Sequence, residues 1–416
     1  MTGVTPARRV AFAVIRRVFE QGAYADRALH GEAKGLDPRE RALAMQLAYG
    51  TVQRRLSLDA LIELLANRPV DELDARTLAA LRLGLYQLAF LDGMAAHAVV
   101  GESVELAKGG PGGGHKLVNA VLRRAARGLP PLPADETPAG AAIRHSYPPW
   151  LVELWWERFG ADTTRALLRA GNEPGELALR ANTLVTTAAE LAAALPVPTH
   201  PAGADLPEGL VVDGPFDAHA HDLWRAGAYA AQSRASMLVA RALDPQPGER
   251  VLDLCAAPGG KTTHLAALMQ DTGAIVAVER HAGRASALRR TCERLRCTNV
   301  EVLVQDAARY TTEEPFDRVL VDPPCSGLGT LQGHPDLRWR TTPEAIERLA
   351  RTQAGILEAA TAALGPGGTL VYSTCTLSPR ENEERVAASG LQVESERLVL
   401  PHRDRTDGFY IARMRT

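Results

Sequence analysis

The chain has 416 residues, of which 46% are hydrophobic and 23% are charged, and its formal net charge is −2. This length predicts two or three domains, and the composition excludes a disordered or fibrous protein. Residues 1–130 carry 18 Lys and Arg against 13 Asp and Glu, whereas the remainder carries 29 against 36. A basic front part joined to an acidic remainder indicates an anion-binding module attached to a second module.

The five cysteines are odd in number and include no Cys-x-x-Cys pair, so the sequence predicts neither a disulfide framework nor a zinc ribbon. No apolar run reaches the length of a membrane span, and arginines interrupt the first 20 residues where a signal peptide would be apolar. We therefore expect a cytoplasmic protein, a monomer, with no membrane partner and no metal.

Residues 1–130 are predicted to be entirely helical, because apolar residues recur there every three or four positions. Leucines show this spacing at Leu78, Leu81, Leu85, Leu88 and Leu91. The pairs Arg54-Arg55 and Arg123-Arg124 lie on such segments, where they either bind phosphates or form solvated surface. The run Gly109–Gly114 lacks the Lys-Ser/Thr ending of a phosphate loop and follows a helix, which predicts a connection.

Residues 131–144 are predicted to be a Pro-rich linker that resists helix and sheet. The next segment, 145–232, combines a helix from Pro149 to Arg169 with strand-like runs at 177–180 and 210–212, which is typical of a small α+β subdomain. His219 and His221 could be metal ligands, but no third ligand lies in register with them.

Residues 233–416 are predicted to form a doubly wound, Rossmann-like parallel sheet. Five apolar runs with helical stretches between several of them indicate its strands, at 251–254, 274–278, 300–304, 318–321 and 369–372. In this α/β class, a ligand binds beyond the carboxyl ends of the strands, where the strand order reverses.

The loop Cys255–Thr262 follows the first of these strands and nearly matches a phosphate loop, since Gly260, Lys261 and Thr262 fit that pattern. Cys255 replaces the first glycine, and Pro258 removes a backbone N–H donor that a phosphate cradle requires. A nucleotide triphosphatase is one interpretation of this loop. The competing interpretation is that the loop receives the amino-acid part of S-adenosylmethionine.

Three acidic residues at strand ends favour the second interpretation. Glu279 follows Gly259 by 20 residues, which is close to the spacing expected of a ribose-binding acid. Asp306 is placed to bind the adenine amino group, and Asp322 ends the fourth strand. Each acid alone could be a helix cap or a surface ion pair, but three in succession are more difficult to explain in that way.

Two cysteines follow two of these strands: Cys325 after Asp322-Pro323-Pro324, and Cys375 after Ser373-Thr374. We expect both thiols to face one pocket. Carbon 5 of cytosine is too electron-poor to accept a methyl group directly, but addition of a thiolate to carbon 6 activates it. Enzymes that methylate amino groups place an aromatic residue after Pro-Pro, so Cys325 indicates a ring carbon as the target. Spacing alone leaves open which cysteine attacks.

These segments resemble motifs I, IV and VI of RNA cytosine-C5 methyltransferases, a class I methyltransferase family. The matching segments are Cys255–His264, Val321–Thr330 and Ser373–Thr376, with closing segments at Glu381–Glu383 and Asp407–Tyr410. The resemblance implies that Cys375 is the nucleophile and that Cys325 assists product release, whereas DNA cytosine-C5 methyltransferases show the reverse.

The same resemblance implies that Asp322 borders both cofactor and base and that Lys261 lies near both. It implies an S-adenosylmethionine site that comprises Cys255, Ala256, Ala257, Pro258, Gly259, Gly260, Lys261, Glu279, Asp306 and Asp322. One departure from the family is visible, because the family more often has Asp where this chain has Glu279.

The front part resembles a NusB-type RNA-binding domain in the segments Arg39–Ala44, Leu83–Leu88 and Val118–Arg124. The combination is similar to bacterial 16S ribosomal RNA cytosine-C5 methyltransferases of the cytosine 967 type. We therefore expect a NusB-like domain (1–130), the linker, the α+β subdomain and a catalytic domain (233–416). The alternatives are methylation of tRNA or another rRNA, and a non-catalytic RNA-binding assembly factor.

Overall fold

The computed structural model describes residues 3–416, which divide into two compact units. The helical unit comprises the chain up to Glu173 together with Leu331–Arg340. The sheet unit comprises Pro174–Thr330 and Thr341–Thr416. These two units do not test the finer division at residues 130, 144 and 232, which stays a prediction.

The helical unit confirms the helices predicted for the front part of the chain. Its helices are α1 (Pro6–Gln21), α2 (Ala25–Glu32), α3 (Pro38–Gln53), α4 (Arg55–Ala66), α5 (Ala75–Phe90), α6 (Ala96–Ala107), α7 (Gly114–Ala125), α8 (Pro138–His145) and α9 (Pro149–Ala170). Side-chain caps begin several of them: Asp37 accepts hydrogen bonds from backbone N–H groups of α3, and Asp74 does the same for α5. The predicted leucine stripe forms part of α5, in which Leu81 and Leu85 are fully buried.

The prediction that residues 131–144 resist helix formation is wrong, because α8 begins inside them at Pro138. Proline fits the first turn of a helix, where its missing N–H is not needed. The Thr137 hydroxyl accepts a hydrogen bond from Gly140 N at 3.2 Å and caps this turn. Buried Ala141 and Ala142 then anchor the helix in the unit.

A small four-stranded antiparallel sheet opens the sheet unit and confirms the predicted strand-like runs. Its strands are β1 (Ala178–Ala181), β2 (Thr199–Pro201), β3 (Gly209–Val212) and β4 (Tyr229–Ala231), arranged in the order β2-β3-β1-β4. Two short helices accompany them, α10 (Ala188–Ala194) and α11 (Asp222–Arg225). Leu179, Leu210 and Tyr229 form the centre of its core.

A seven-stranded sheet forms the rest of the unit and contains all five predicted strands. Its strands are β5 (Arg250–Leu254), β6 (Ala274–Glu279), β7 (Val300–Val304), β8 (Phe316–Val321), β9 (Leu364–Thr374), β10 (Gln392–Val399) and β11 (Phe409–Arg415). The order is β10-β11-β9-β8-β5-β6-β7, in which β5 to β9 are parallel and β10 and β11 are antiparallel. The order reverses between β5 and β8, which places the ligand crevice at their carboxyl ends.

Helices cover both faces of this sheet, as expected for a doubly wound fold. The helices from residue 234 onward are α12 (Arg234–Leu243), α13 (Gly260–Leu268), α14 (Ala282–Arg294), α15 (Leu337–Arg340), α16 (Pro343–Ala363), α17 (Glu383–Ala387) and α18 (Pro401–Asp404). Ile275 and Ala277 of β6 pack in one core with α13 and α14, whereas Val276 and Val278 pack in a second core with α16. This alternation explains why β6 reads as a continuous apolar run.

Residues Leu331–Arg340, which we call the strap, leave the sheet unit after the Cys325 segment and pack in the helical unit. Arg338 of α15 is fully buried there and donates hydrogen bonds to Ser146 O at 3.0 Å and Gly171 O at 3.1 Å. Trp339 Nε1 donates to Val52 O at 2.7 Å. The strap therefore belongs to the helical unit, although the residues on both sides of it in the sequence belong to the sheet unit.

Candidate active site

The loop between β5 and α13 makes a tight turn that brings backbone to the crevice. Cys255 and Gly259 have φ angles of 67° and 104°, both in the left-handed region. A Cβ atom on Gly259 would lie 2.6 Å from Leu288 Cδ1, so glycine is required both for the turn and for the approach to α14. The turn is closed by Gly259 N, which donates to Ala256 O at 2.9 Å.

A cavity of about 290 Å³ lies beside this loop, near the lower end of the volumes of about 300 to 1,000 Å³ typical of ligand sites. Its lining includes Cys255, Glu279, Asp306, Arg284 and Pro324. The structure therefore places Glu279 and Asp306, two of the predicted cofactor-binding acids, in one cavity with the first residue of the predicted loop. Ala256 to Gly260 continue that loop into α13.

Glu279 is buried and its carboxylate already has partners. Oε1 accepts a hydrogen bond from His281 N at 2.8 Å, and Oε2 lies 3.4 Å from Arg284 Nε. Asp306 is exposed and accepts a hydrogen bond from Ala308 N at 3.1 Å. A buried carboxylate at the end of β6 suits ribose hydroxyl donors, and a second acceptor at the end of β7 suits an adenine amino group. These side chains fit the adenosine part of S-adenosylmethionine.

Lys261 and Asp322 form an ion pair between the loop and the end of β8. Lys261 Nζ donates to Asp322 Oδ2 at 2.7 Å, and Ser373 Oγ donates to Asp322 Oδ1 at 3.0 Å. Burial lowers the pKa of Lys261, but the attraction of Asp322 outweighs it and raises the pKa above its ordinary value. The Lys261 ammonium group is thus paired with Asp322 and is not directed at a phosphate, which argues against a phosphate-binding loop.

Cys325 and Cys375, which were expected to face one pocket, lie next to each other. Cys325 Sγ and Cys375 Sγ are 3.3 Å apart, and both residues are half-buried. Cys375 directly follows β9, and Cys325 lies four residues beyond β8. The hydrogen bond with Cys375 and burial raise the pKa of the Cys325 thiol well above its ordinary value. Cys325 therefore keeps its proton at neutral pH in the free protein.

A buried hydrogen-bond network joins the segments that follow the two cysteines, and sequence reasoning gave it no role. Glu381 is fully buried, and its Oε1 accepts from Ser326 N at 2.8 Å and from Gln353 Nε2 at 3.1 Å. Ser326 Oγ donates to Glu381 Oε2 and lies 2.6 Å from Thr376 Oγ1. Burial raises the pKa of Glu381. The only sequence signal for the importance of Glu381 was that it lies in a segment that resembles the family's closing motifs.

A backbone contact holds the same two segments together. Gly329 N donates to Cys375 O at 2.9 Å, and Gly408 N donates to Gly329 O at 2.8 Å. A Cβ atom on Gly329 would lie 2.0 Å from Gly408 O, so only glycine allows this approach. The short distance between the sulfur atoms therefore depends on glycine packing as well as on the strand ends.

His219 and His221 have structural partners. His221 Nδ1 accepts a hydrogen bond from Leu223 N at 3.3 Å and caps α11, and the ring of His219 packs edge-on against Trp224 with centroids 5.4 Å apart. Across residues 3–416, no group of three or more His, Cys, Asp or Glu side chains could hold a metal ion. Within the same range, no helix has the length and apolar character of a membrane span.

Comparisons with known proteins match three parts of the chain to family models. Residues 240–415 match the model described as 16S rRNA methyltransferase RsmB/F, residues 5–127 match the NusB family, and residues 147–219 match an RsmF/B-like ferredoxin-like domain. The last match begins two residues before α9, a helix that the contacts of this structure assign to the helical unit.

Relatives of known name match over nearly the whole chain. A Synechocystis protein named "Probable ribosomal RNA small subunit methyltransferase B" is 38% identical, and the match covers 98% of this chain and 99% of that protein. The ribosomal RNA small subunit methyltransferase B of Vibrio cholerae is 34% identical, with 97% and 96% covered.

Two solved structures are also similar. A crystal structure of PH0851 has a TM-score of 0.84 at 26% identity, with 99% of each chain covered. A structure of NSun6 from Pyrococcus horikoshii with SFG has a TM-score of 0.60 at 24% identity and covers 63% of this chain and 96% of that one. The second likeness shows a shared fold.

Proposed function

Because the chain belongs to the RsmB/F family of 16S rRNA methyltransferases, with S-adenosylmethionine as cofactor, we propose that it methylates carbon 5 of a cytosine in 16S ribosomal RNA. The proposed reaction passes through a covalent adduct between Cys375 and carbon 6 of that cytosine. The nucleotide is proposed to be cytosine 967, on the resemblance of the combined NusB-like and catalytic domains to enzymes of that type.

When bound, S-adenosylmethionine supplies a methyl group on a positively charged sulfur. Glu279 and Asp306 would hold its adenosine part in the cavity, and the loop from Cys255 to Lys261 would border its amino-acid part. Asp322, which is held by Lys261 and Ser373, would lie between this cofactor and the base. Its carboxyl group could hydrogen-bond the N3 edge of cytosine as charge develops there.

The Cys375 thiolate would form a bond from Sγ to carbon 6, and the electrons of the 5,6 double bond would move to carbon 5. Carbon 5 then accepts the methyl group. Removal of the hydrogen on carbon 5 would restore the double bond, break the bond between Sγ and carbon 6, and release Cys375 as a thiolate. Such chemistry requires a base near the adduct, and Cys325 is the group within 3.3 Å of the nucleophile.

The hydrogen bond with Cys375 is the largest cause of the raised pKa of Cys325. Once Cys375 is bonded to carbon 6, that hydrogen bond is lost, so Cys325 ionises more readily. It could then accept the proton from carbon 5. The raised pKa of Cys325 thus supports a mechanism in which Cys375 attacks carbon 6 first and Cys325 acts afterwards as the base.

The observation that carries the proposal is the 3.3 Å separation of the two sulfur atoms beside the Lys261–Asp322 pair. Methylation of an exocyclic amino group needs no thiol, and an aromatic residue stacks the base after Pro-Pro in such enzymes. A pair of thiols at this position suits a reaction that both forms and breaks a bond to carbon 6.

The test is to incubate the protein with 16S ribosomal RNA and S-adenosylmethionine carrying a labelled methyl group, and to map the modified nucleotide by mass spectrometry. We expect 5-methylcytosine at one position with the native chain and none with Cys375→Ser. Methylation of an exocyclic nitrogen or a ribose hydroxyl would contradict the proposal. RNA binding without methyl transfer would favour an assembly factor instead.

A further inference from the structure

We propose that Glu381 is the positioning residue that sets the separation of the two thiols, by holding Ser326 and Thr376 in one buried network. This inference rests on the proposed roles of Cys325 and Cys375. Ser326 directly follows Cys325 and Thr376 directly follows Cys375, so a side chain that fixes both neighbours also fixes both sulfur atoms. Glu381 itself is fully buried, and its carboxylate accepts hydrogen bonds from Ser326 and Gln353 and not from the thiols.

The geometry of the network gives each partner of Glu381 a separate function. Ser326 N and Ser326 Oγ donate to different oxygens of the carboxylate, which fixes the backbone and the side chain of Ser326 together. The Ser326 hydroxyl also lies 2.6 Å from Thr376 Oγ1, so it connects the Cys325 segment to the Cys375 segment. Gln353 Nε2 donates both to Glu381 Oε1 at 3.1 Å and to Pro324 O at 2.9 Å.

Only a carboxylate of this length satisfies all of these donors. An ionised carboxylate has about four acceptor sites, whereas a glutamine amide replaces one oxygen with a group that donates. In Glu381→Gln the amide group would face the Ser326 hydroxyl or its N–H, and one donor in the network would lose its acceptor. A buried donor without a partner is unfavourable, so we expect the Ser326 segment to shift in this variant.

A shift of the thiols matters because the reaction depends on their position. A displacement of about 1 Å can reduce the rate of an oriented reaction by about a hundredfold. Glu381 contacts no reacting atom, so its loss should reduce the methylation rate and leave the affinities for S-adenosylmethionine and RNA unchanged. A purely structural role would instead lower stability without changing the geometry of the thiols.

The thiols themselves provide a measurement of their separation that does not involve RNA. Diamide oxidises two neighbouring thiols to a disulfide: each thiol loses one proton and one electron, and diamide takes up both as its hydrazine. A disulfide bond is about 2.0 Å long, so sulfur atoms that begin 3.3 Å apart need only a small movement. We expect the native chain to form the Cys325–Cys375 disulfide rapidly, as mapped by peptide mass spectrometry.

Three variants complete the experiment. We expect Glu381→Gln to slow both disulfide formation and single-turnover methylation by about ten- to a hundredfold, with cofactor binding unchanged. Ser326→Ala removes the hydroxyl that contacts both Glu381 and Thr376 but keeps the backbone N–H bond to Glu381, so it should slow both in the same direction by a smaller factor. Glu384→Gln removes an exposed carboxylate three residues away and should match the native chain.

The proposal is overturned if Glu381→Gln folds and shows native rates in both assays, or if the native chain forms no Cys325–Cys375 disulfide. If Glu381→Gln does not fold, native rates for Ser326→Ala overturn it. A third result separates the two proposals. If disulfide formation is slower in the variants but none of the proteins methylates RNA, Glu381 still holds the thiols together, and only the proposed function is overturned.

Discussion

Cys325 and Cys375 lie in different electrostatic surroundings although their sulfur atoms are 3.3 Å apart. The negative charge of Glu381 contributes to the raised pKa of Cys325. The Lys261 ammonium group interacts electrostatically with Cys375. The two thiols therefore have charged neighbours of opposite sign.

Replacement of Cys325 should separate the two proposed roles. We expect Cys325→Ala to accumulate a covalent protein–RNA adduct, because Cys375 can still attack carbon 6 while elimination lacks its base. Denaturing electrophoresis with labelled RNA detects the adduct. Cys292→Ala, which removes a buried thiol from α14, serves as the matched control and should give none. Undiminished methylation by Cys325→Ala with no adduct would count against the assigned roles.

The loops at the strand ends, more than the strands themselves, set the geometry of the site. The five parallel strands could be predicted because each contains a short apolar run, which is buried on both faces in all of them except the edge strand β7. The β10–β11 pair was not predicted, because β10 is charged and exposed along most of its length. The proximity of Cys325 and Cys375 could be predicted, because both follow neighbouring strands. The Glu381 network could not be predicted, because no sequence pattern links Ser326, Thr376 and Gln353 to one another.

Gly329 gives an element-level prediction about these loops. In Gly329→Ala the new methyl group would overlap Gly408 O and crowd Cys375 O, which are backbone atoms that cannot rotate away. We expect a loss of about 1 to 3 kcal/mol in the free energy of unfolding, together with slower methylation. Urea denaturation measures the first effect. Gly283→Ala in α14, where nothing lies within 4 Å of the added atom, should not be destabilised; equal stability of the two variants would contradict the account.

The junction between the small sheet and α13 predicts a pH dependence of stability. Neutral His264 donates from Nε2 to Glu208 Oε1 at 2.7 Å, and both residues are buried. Burial lowers the pKa of His264 from 6.5 to about 4. Burial alone would raise the pKa of Glu208, but hydrogen bonds from His264 and Arg241 outweigh it and lower that pKa to about 2.

Between pH 6.5 and 4 the unfolded chain therefore binds a proton at His264 that the folded chain does not. The contribution of His264 to stability should fall across this window as the pH falls, by up to about 3 kcal/mol. Thermal unfolding at several pH values measures this. We expect a shallower dependence for His264→Gln, which keeps a donor but does not titrate, and no change for the exposed His30→Gln. Parallel curves for His264→Gln and the native chain would rule the explanation out.

In the organisation of the whole chain, the strap is a segment of the helical unit that lies in sequence between two parts of the sheet unit. It follows the Cys325 segment directly, and Arg338 is its buried centre. The Arg338 guanidinium lies 3.9 Å from the centre of the Tyr147 ring and also donates to Asn172 Oδ1 at 3.0 Å. Sequence could not predict this placement, because the residues of the strap that pack against distant helices show no helical or strand periodicity of their own.

Removal of the Arg338 guanidinium should destabilise the helical unit. Arg338→Met keeps the apolar stem but leaves Ser146 O and Asn172 Oδ1 without the donor that Arg338 provides. We expect a loss of about 3 kcal/mol or more, seen as a lower midpoint of thermal unfolding by circular dichroism. Arg351→Met, on the exposed side of α16, is the matched control and should unfold like the native chain. A native midpoint for Arg338→Met would show that the strap does not depend on this residue.

The most direct test of the central claim uses 16S ribosomal RNA in which 5-fluorocytosine replaces cytosine. Fluorine at carbon 5 cannot be removed as a proton is, so an enzyme that attacks carbon 6 remains bonded to the RNA after methyl transfer. Digestion and peptide mass spectrometry then identify the bonded residue. We expect a methylated 5-fluorocytosine attached to Cys375. Attachment to Cys325, or methylation of ordinary RNA at carbon 5 with no attachment to the fluorinated RNA, would contradict it.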